Sequence, residues 1–477
     1  MRKGNILVLA MLALVPAAMG QSLPELGDAA GAILSASMEK RIGEEAYRDF
    51  RYRDANYLDD PEIIRYVNDL GGKLVAASPE RHQGFEFFVL QENSINAFAM
   101  PGGYIGLHTG LLLAAQSESE VAGVLAHEVS HVTQHHIARM LGKQSNASVA
   151  GIAAMVIALL AARSSPDLAA FTLATASAGA IQAQLNYSRD FEREADRVGF
   201  QLLLDAGFDV HAMAAFFERL QKAGRLYENN APAYLRTHPL SVERMADMQN
   251  RAQALAYKQV PNTLDFYLIR AKLNAALGDS KEAVTTATEQ LRQRRYTSEA
   301  SARYFLTAAL IRDKKIDEAE RELANLQSLN LAHPMIDMLA ARLQVAKNKT
   351  DAARSILRNA LSRFPSYQPL RYALIQLLQD SSEHAQALSE TEELIKDPRR
   401  DARLYAMRAR SFAATGQQLF LHQALAEQYY LMGTIPAAID QLQMAQKSGV
   451  GNFYQMSVIE ARLREMRREL LSQTQSR

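Results

Sequence analysis

From about residue 263 the chain repeats one unit, and that repetition limits its fold more than any other feature. Gly278-Asp-Ser-Lys-Glu-Ala283, Lys314-Lys-Ile-Asp-Glu-Ala319, Asn348-Lys-Thr-Asp-Ala-Ala353, Ser382-Glu-His-Ala-Gln-Ala387 and Gly433-Thr-Ile-Pro-Ala-Ala438 share a turn followed by alanine. The closing alanines lie 36, 34, 34 and then 51 residues apart. A 34-residue period is that of a helix pair in which a small residue lets the partners approach closely. Ala360 and Ala445 fit the same spacing, and Pro365 and Pro398 fall where the second helix should stop. Such pairs stack into a curved solenoid whose concave face usually binds peptide or protein. The 51-residue interval implies an extra or longer helix near residues 404–425. The bland alternative is a helical bundle with no partner.

Upstream, residues 127–131 read His-Glu-Val-Ser-His. Positions four apart share a helix face, so His127 and His131 can offer two imidazole nitrogens to one ion. Glu128 projects beside them, placed to take a proton from water. Two neutral imidazoles with room for nitrogen or oxygen ligands suit zinc, which points to a zinc-dependent hydrolase and most readily a peptidase. The pentapeptide arises by chance in roughly one or two such chains per hundred, so context decides. Ser117 and Glu120 have the form of a capping box, and Leu125, Val129 and Val132 make an apolar stripe that would bury the helix. His135 and His136 follow; supporting or surface roles suit them better than ligation.

Composition sets the compartment. With 477 residues the chain has room for two or three domains, and 48% apolar residues are ample for a core. Net charge is +1, or −1 without Arg2 and Lys3, which excludes a nucleic-acid binder by charge. Met1-Arg-Lys-Gly, the apolar run Ile6–Leu14 and the small residues Ala18 and Gly20 form a secretory leader over residues 1–20. No cysteine occurs, so disulfides, thiolate ligands and a lipoprotein anchor are all excluded. An exported protein of the bacterial periplasm is expected.

Between leader and repeats, residues 21–262 read as one domain of mixed structure. Pro61–Leu70 has helical spacing, while Phe85–Leu90, Ile95–Ala99 and Tyr104–His108 are β-rich around the turn signal Pro101-Gly102-Gly103. A small antiparallel sheet is expected there, with an edge that could hold an extended peptide. The apolar run 149–162 is 14 residues long, short of the roughly 20 needed to span a membrane. It is read as a packed hairpin, with a lid or a membrane-touching surface as alternatives. The expected fold is therefore mainly α: a zincin-like metallopeptidase domain with a small β-sheet, then an α-helical repeat solenoid over 263–470.

A catalytic zinc usually takes three protein ligands. In Asp190-Phe-Glu-Arg-Glu-Ala-Asp196, Glu192 can bind the ion while Asp196, one turn on, hydrogen-bonds a ligating histidine. Glu194 is the rival, but points about 200° around the helix from Glu192. Arg244 and Tyr104 are candidate donors to the oxyanion.

Asn96-Ala-Phe-Ala-Met-Pro-Gly-Gly-Tyr-Ile105, His127–His131, Glu192–Asp196 and Thr237-His238-Pro239-Leu240 together resemble, in order, the zinc metallopeptidase family that includes the CAAX prenyl protease. With its leader and its repeats, which resemble tetratricopeptide repeats, the chain is similar to periplasmic members serving outer-membrane β-barrel assembly. The resemblance implies one Zn2+ per chain held by His127, His131 and Glu192, with Glu128 as base and Asp196 as support. It also implies that His238 fills the fourth position and keeps the enzyme latent. Unfolded or stalled outer-membrane proteins become the expected substrates, and the β-barrel assembly complex the expected partner of the repeats. A chaperone-like adaptor with proteolysis secondary is the competing expectation.

Overall fold

The computed structural model describes residues 35–79, 84–142, 178–226, 232–396, 401–448 and 451–475. The leader-like segment 1–20 and the apolar run 149–162 lie outside them.

Helix α1 spans Ala36–Arg53 and α2 spans Pro61–Ala77. Asp60 caps α2 by accepting from the amides of Glu62 and Ile63, and Pro61 takes the first helical position, where no amide hydrogen is needed. Strands β1 (Glu86–Leu90), β2 (Ala97–Met100) and β3 (Tyr104–His108) form one sheet in the order β1-β3-β2. The sheet is mixed, not antiparallel as expected: β2 and β3 form a hairpin, but β1 pairs parallel with β3. The reason is topological. Three strands that alternate in direction form an all-antiparallel meander only if the second is central, and here the third is. The outer edge of β1 is already covered. Asn68 both accepts from Phe87 N (3.0 Å) and donates to Phe87 O (2.7 Å), and Leu58 N donates to Val89 O at 2.9 Å. An added peptide strand would have to use β2.

Helix α3 (Thr109–Ala114) leads to α4 (Glu118–Thr133), in which every residue is buried. Ser117 Oγ accepts from Glu120 N at 3.3 Å, while the Glu120 carboxylate accepts from Gln116 N at 2.7 Å and clasps Arg219. The capping box is thus shifted by one residue, and its acid also braces a neighbouring helix. Around α4 lie α5 (His136–Gly142), α6 (Ala178–Asp205), α7 (Val210–Leu226), α8 (Ala233–Thr237) and α9 (Val242–Gln253). Helices α4 and α6 cross closely at Gly199, where an added Cβ would stand 3.0 Å from His127 N.

The repeats then pair α10 (Leu264–Ala276) with α11 (Ser280–Arg292), α12 (Glu299–Arg312) with α13 (Ile316–Gln327), and α14 (Pro334–Ala346) with α15 (Thr350–Arg363). Helices α16 (Gln368–Asp380) and α17 (His384–Ile395) follow, then α18 (Ala402–Ala414), α19 (Gln418–Leu431), α20 (Ile435–Lys447) and α21 (Phe453–Gln475). Ala283, Ala319, Ala353, Ala387 and Ala438 are all buried in second helices or in α20. The first residue of each repeat segment shares one backbone state: Gly278, Lys314, Asn348, Ser382 and Gly433 have φ between 57° and 78°. This left-handed residue ends one helix and reverses the chain.

Gly416, with φ 71°, stands 34 residues after Ser382 and begins the same turn. Two helices, α18 and α19, stand between Ala387 of α17 and Ala438 of α20 where the earlier intervals hold one, so the extra helix expected near residues 404–425 is present, with Leu421 in place of an alanine after its turn.

The repeats are in contact with the peptidase part of the chain through a set of ion pairs. Lys272 of α10 lies 2.5 Å from both Asp60 and Glu62, and Arg342 of α14 lies 3.3 Å from Glu62. Arg65 donates to Ser366 O at 2.6 Å, Arg51 meets Asp401 at 2.7 Å, and Arg403 pairs with Asp59. These contacts seat the peptidase part against the first helices of the repeats.

Candidate metal centre

Helix α4 places His127 and His131 one turn apart, with their Nε2 atoms 3.0 Å from each other. From α6, Glu192 brings Oε2 to 3.3 Å from His127 Nε2 and Oε1 to 3.4 Å from His131 Nε2. The residue after α8, His238, sets Nδ1 3.3 Å from His127 Nε2 and 3.0 Å from Glu192 Oε1. One donor atom from each of the four lies within 4.8 Å of every other, and none of the four residues is more than 2% exposed.

This set fits a metal ion. Nitrogen and oxygen ligands about 2.0–2.1 Å from a tetrahedral zinc stand about 3.3–3.4 Å apart, and the observed separations run from 3.0 to 3.4 Å. Charge points the same way. Glu192 and Asp196 share the guanidinium of Arg244 while Glu128, also buried, has no cation against it, so the arrangement accommodates added positive charge. Burial alone would lower the His127 pKa, but Asp196 and Glu192 hold it up at about 9. A cation on Nε2 would stand where that proton stands.

Asp196 Oδ1 is 3.1 Å from His127 Nδ1, on the side of the ring away from the centre. Both Asp196 oxygens are gripped by Arg244, whose Nη1 also lies 3.1 Å from Glu192 and donates to Pro239 O at 2.7 Å. Arg244, an expected oxyanion donor, is therefore engaged in holding the acids of α6. Tyr104, the other expected donor, stacks on Tyr47 at 5.0 Å and lines a cleft between α1, α2 and the repeats that contains no residue of the centre. Glu194, the rival ligand, turns to Arg139 (2.9 Å) and His136 (3.3 Å). His135 sits half-buried, 3.0 Å from Glu39.

Glu128 is fully buried, and neither carboxylate oxygen makes a hydrogen bond; His238 Nε2 lies 3.4 Å from Oε1 without the alignment of one. Sequence reasoning missed Tyr234. Its ring stacks on His238 at 4.6 Å, it is 0% exposed, and its hydroxyl has no partner. Burial and then Glu128 push its pKa well above the ordinary tyrosine value, so the hydroxyl stays a donor. A signal was present: Tyr234 and His238 are four apart, the spacing that groups His127 with His131.

Residues 59–252 match peptidase family M48, and residues 344–411 match a tetratricopeptide repeat. The chain is 30% identical over 452 residues to the beta-barrel assembly-enhancing protease of Escherichia coli (strain K12), an alignment covering 94% of this chain and 91% of that one. It is 38% identical over 306 residues to the putative beta-barrel assembly-enhancing protease of Vibrio cholerae serotype O1, covering 64% of this chain and 63% of that one. The mitochondrial metalloendopeptidase OMA1 of Schizosaccharomyces pombe is 30% identical over 222 residues, 45% of this chain and 61% of that one.

Proposed function

The chain belongs to the beta-barrel assembly-enhancing proteases of peptidase family M48, and from that membership we propose a periplasmic zinc endopeptidase that handles outer-membrane β-barrel proteins. One observation carries the chemistry: three histidines and a glutamate converge beside a buried carboxylate, Glu128, that has no hydrogen-bond partner. His127, His131 and Glu192 would hold zinc, and Asp196 would support His127. When bound, zinc supplies the Lewis acidity that activates a water and polarises a carbonyl at neutral pH.

The remaining steps belong to the chain's own residues. Glu128 takes a proton from the attacking water and returns it to the leaving amine. Tyr234 donates its hydroxyl hydrogen to the oxygen on which charge develops. His238 would hold the enzyme latent: its Nδ1, 3.0 Å from Glu192, would serve as a fourth ligand, and its Nε2 faces Glu128. Displacing that one ring frees both the ligand position and the base.

The leader at 1–20 would export the chain, the peptidase domain would run over 21–262 and the repeats over 263–470. The repeats would engage the assembly complex and unfolded or stalled β-barrel proteins, assisting some and delivering others for cleavage. A resting site buried on every side favours a second reading, in which the chain mostly handles clients without cutting them.

The test is Glu128→Gln, which keeps zinc and fold and removes the base. Used as a trap and read by mass spectrometry, it should retain outer-membrane proteins that wild type cleaves. Recovery of no such proteins contradicts the substrate assignment, and full complementation of a deletion strain by Glu128→Gln would favour the binding role over proteolysis.

A further inference from the structure

His131 Nε2 faces the centre, so a neutral His131 that offers that lone pair carries its proton on Nδ1. His136 Nδ1 lies 2.8 Å from His131 Nδ1. Two facing ring nitrogens make a hydrogen bond only when one is bare, so His136 accepts there and carries its own proton on Nε2. That Nε2 points to Glu194 Oε2 at 3.3 Å, and the same oxygen accepts from Arg139 at 2.9 Å. Phe191 fixes the plane of the His136 ring, stacked at 4.3 Å and 17°, and His136 is 2% exposed.

We propose that His136 is a positioning residue for His131, and that Glu194 and Arg139 hold His136 in the tautomer that this requires. The inference rests on the metal-centre reading. The two ligands from α4 are then supported alike but at different reach. Asp196 meets His127 directly, whereas Glu194, on another face of α6, reaches His131 only through a second imidazole. This gives a role to a glutamate that sequence spacing treats as a failed ligand. It also explains why a histidine, not another aromatic ring, lies against Phe191.

A purely structural role would be met by phenylalanine, which keeps the ring and the stack but offers no acceptor. Full-length wild type and His136→Phe are loaded with zinc and competed against a fluorescent chelator, with melting of the metal-free proteins measured beside it. The expected result is a zinc dissociation constant raised about 10–100-fold, with metal-free melting near that of wild type. Glu194→Ala should weaken zinc binding as well. Glu194→Gln, which retains an oxygen to accept from His136 Nε2, should stay near wild type. Equal affinity in wild type and His136→Phe overturns the proposal and leaves the metal centre standing. If His136→Phe does not fold, equal affinities in Glu194→Ala and Glu194→Gln overturn it. Wild type that takes up no metal overturns both readings.

Discussion

Arg244 holds both oxygens of Asp196, with Nε 2.6 Å from Oδ2 and Nη2 2.8 Å from Oδ1, in a site where neither residue is more than 2% exposed. A planar fork on a planar carboxylate fixes orientation as well as charge. Asp196 can then stand against only one edge of His127, the edge away from the metal position. Asp196→Asn keeps the size but puts an amide NH2 against either the Arg244 fork or His127 Nδ1. Zinc affinity should fall about 10–100-fold, measured by chelator competition. An unchanged affinity would show that Asp196 is structural filler.

Latency is the second expectation. His238 contacts two ligands and faces the base, so His238→Ala should raise the basal rate of casein degradation by removing the ring that occupies the site. Equal rates in wild type and variant would remove the latency account while leaving the metal ligands intact.

Tyr234 supplies a third. A donor used only as negative charge develops affects turnover more than binding. Tyr234→Phe, made in the His238→Ala background where activity is measurable, should lower kcat about 10²–10³-fold with little change in KM. A rate within twofold of the parent would exclude the hydroxyl from catalysis.

The seating of the repeats gives a pH prediction. Burial raises the Asp60 pKa, but Lys272 and then Arg342 outweigh it and hold the carboxyl below its ordinary 3.8. A carboxylate lowered on folding stabilises the folded state fully above its unfolded value, and that gain is lost as pH falls through the folded one. The acid-unfolding curve should therefore lose this contribution below pH 3.8. Lys272→Met leaves Glu62 with Arg342 alone and Asp60 with its α2 amides, and should cost about 1–3 kcal/mol at neutral pH, read by urea denaturation. A loss under 1 kcal/mol would mean that the cluster does not hold the two parts together.

Much of the centre was legible because helical spacing fixes which side chains share a face. His127, His131, Glu192 and Asp196 needed only that rule and the chemistry of zinc. The position of His238 could not be read so, since a histidine before proline carries no period of its own. Tyr234 shares a four-residue spacing with His238, but only the tertiary packing shows its ring on His238 and the His136 ring against His131. In the repeats, the alanines mark the buried contact of five helices but not every turn. The turn residue with positive φ persists at Gly416 where Leu421 has replaced the alanine, because the backbone reversal is obligatory and the small contact is not. The parallel pairing of β1 left no trace in alternation, which reports strand faces and not strand order.

The most direct measurement is metal analysis of the purified protein together with X-ray absorption at the zinc edge. The account predicts one zinc per chain, with four nitrogen or oxygen ligands at about 2.0–2.1 Å and no sulfur, and loss of the metal in Glu192→Ala. A protein free of stoichiometric metal, or a Glu192→Ala variant that keeps its zinc in the same shell, would contradict it.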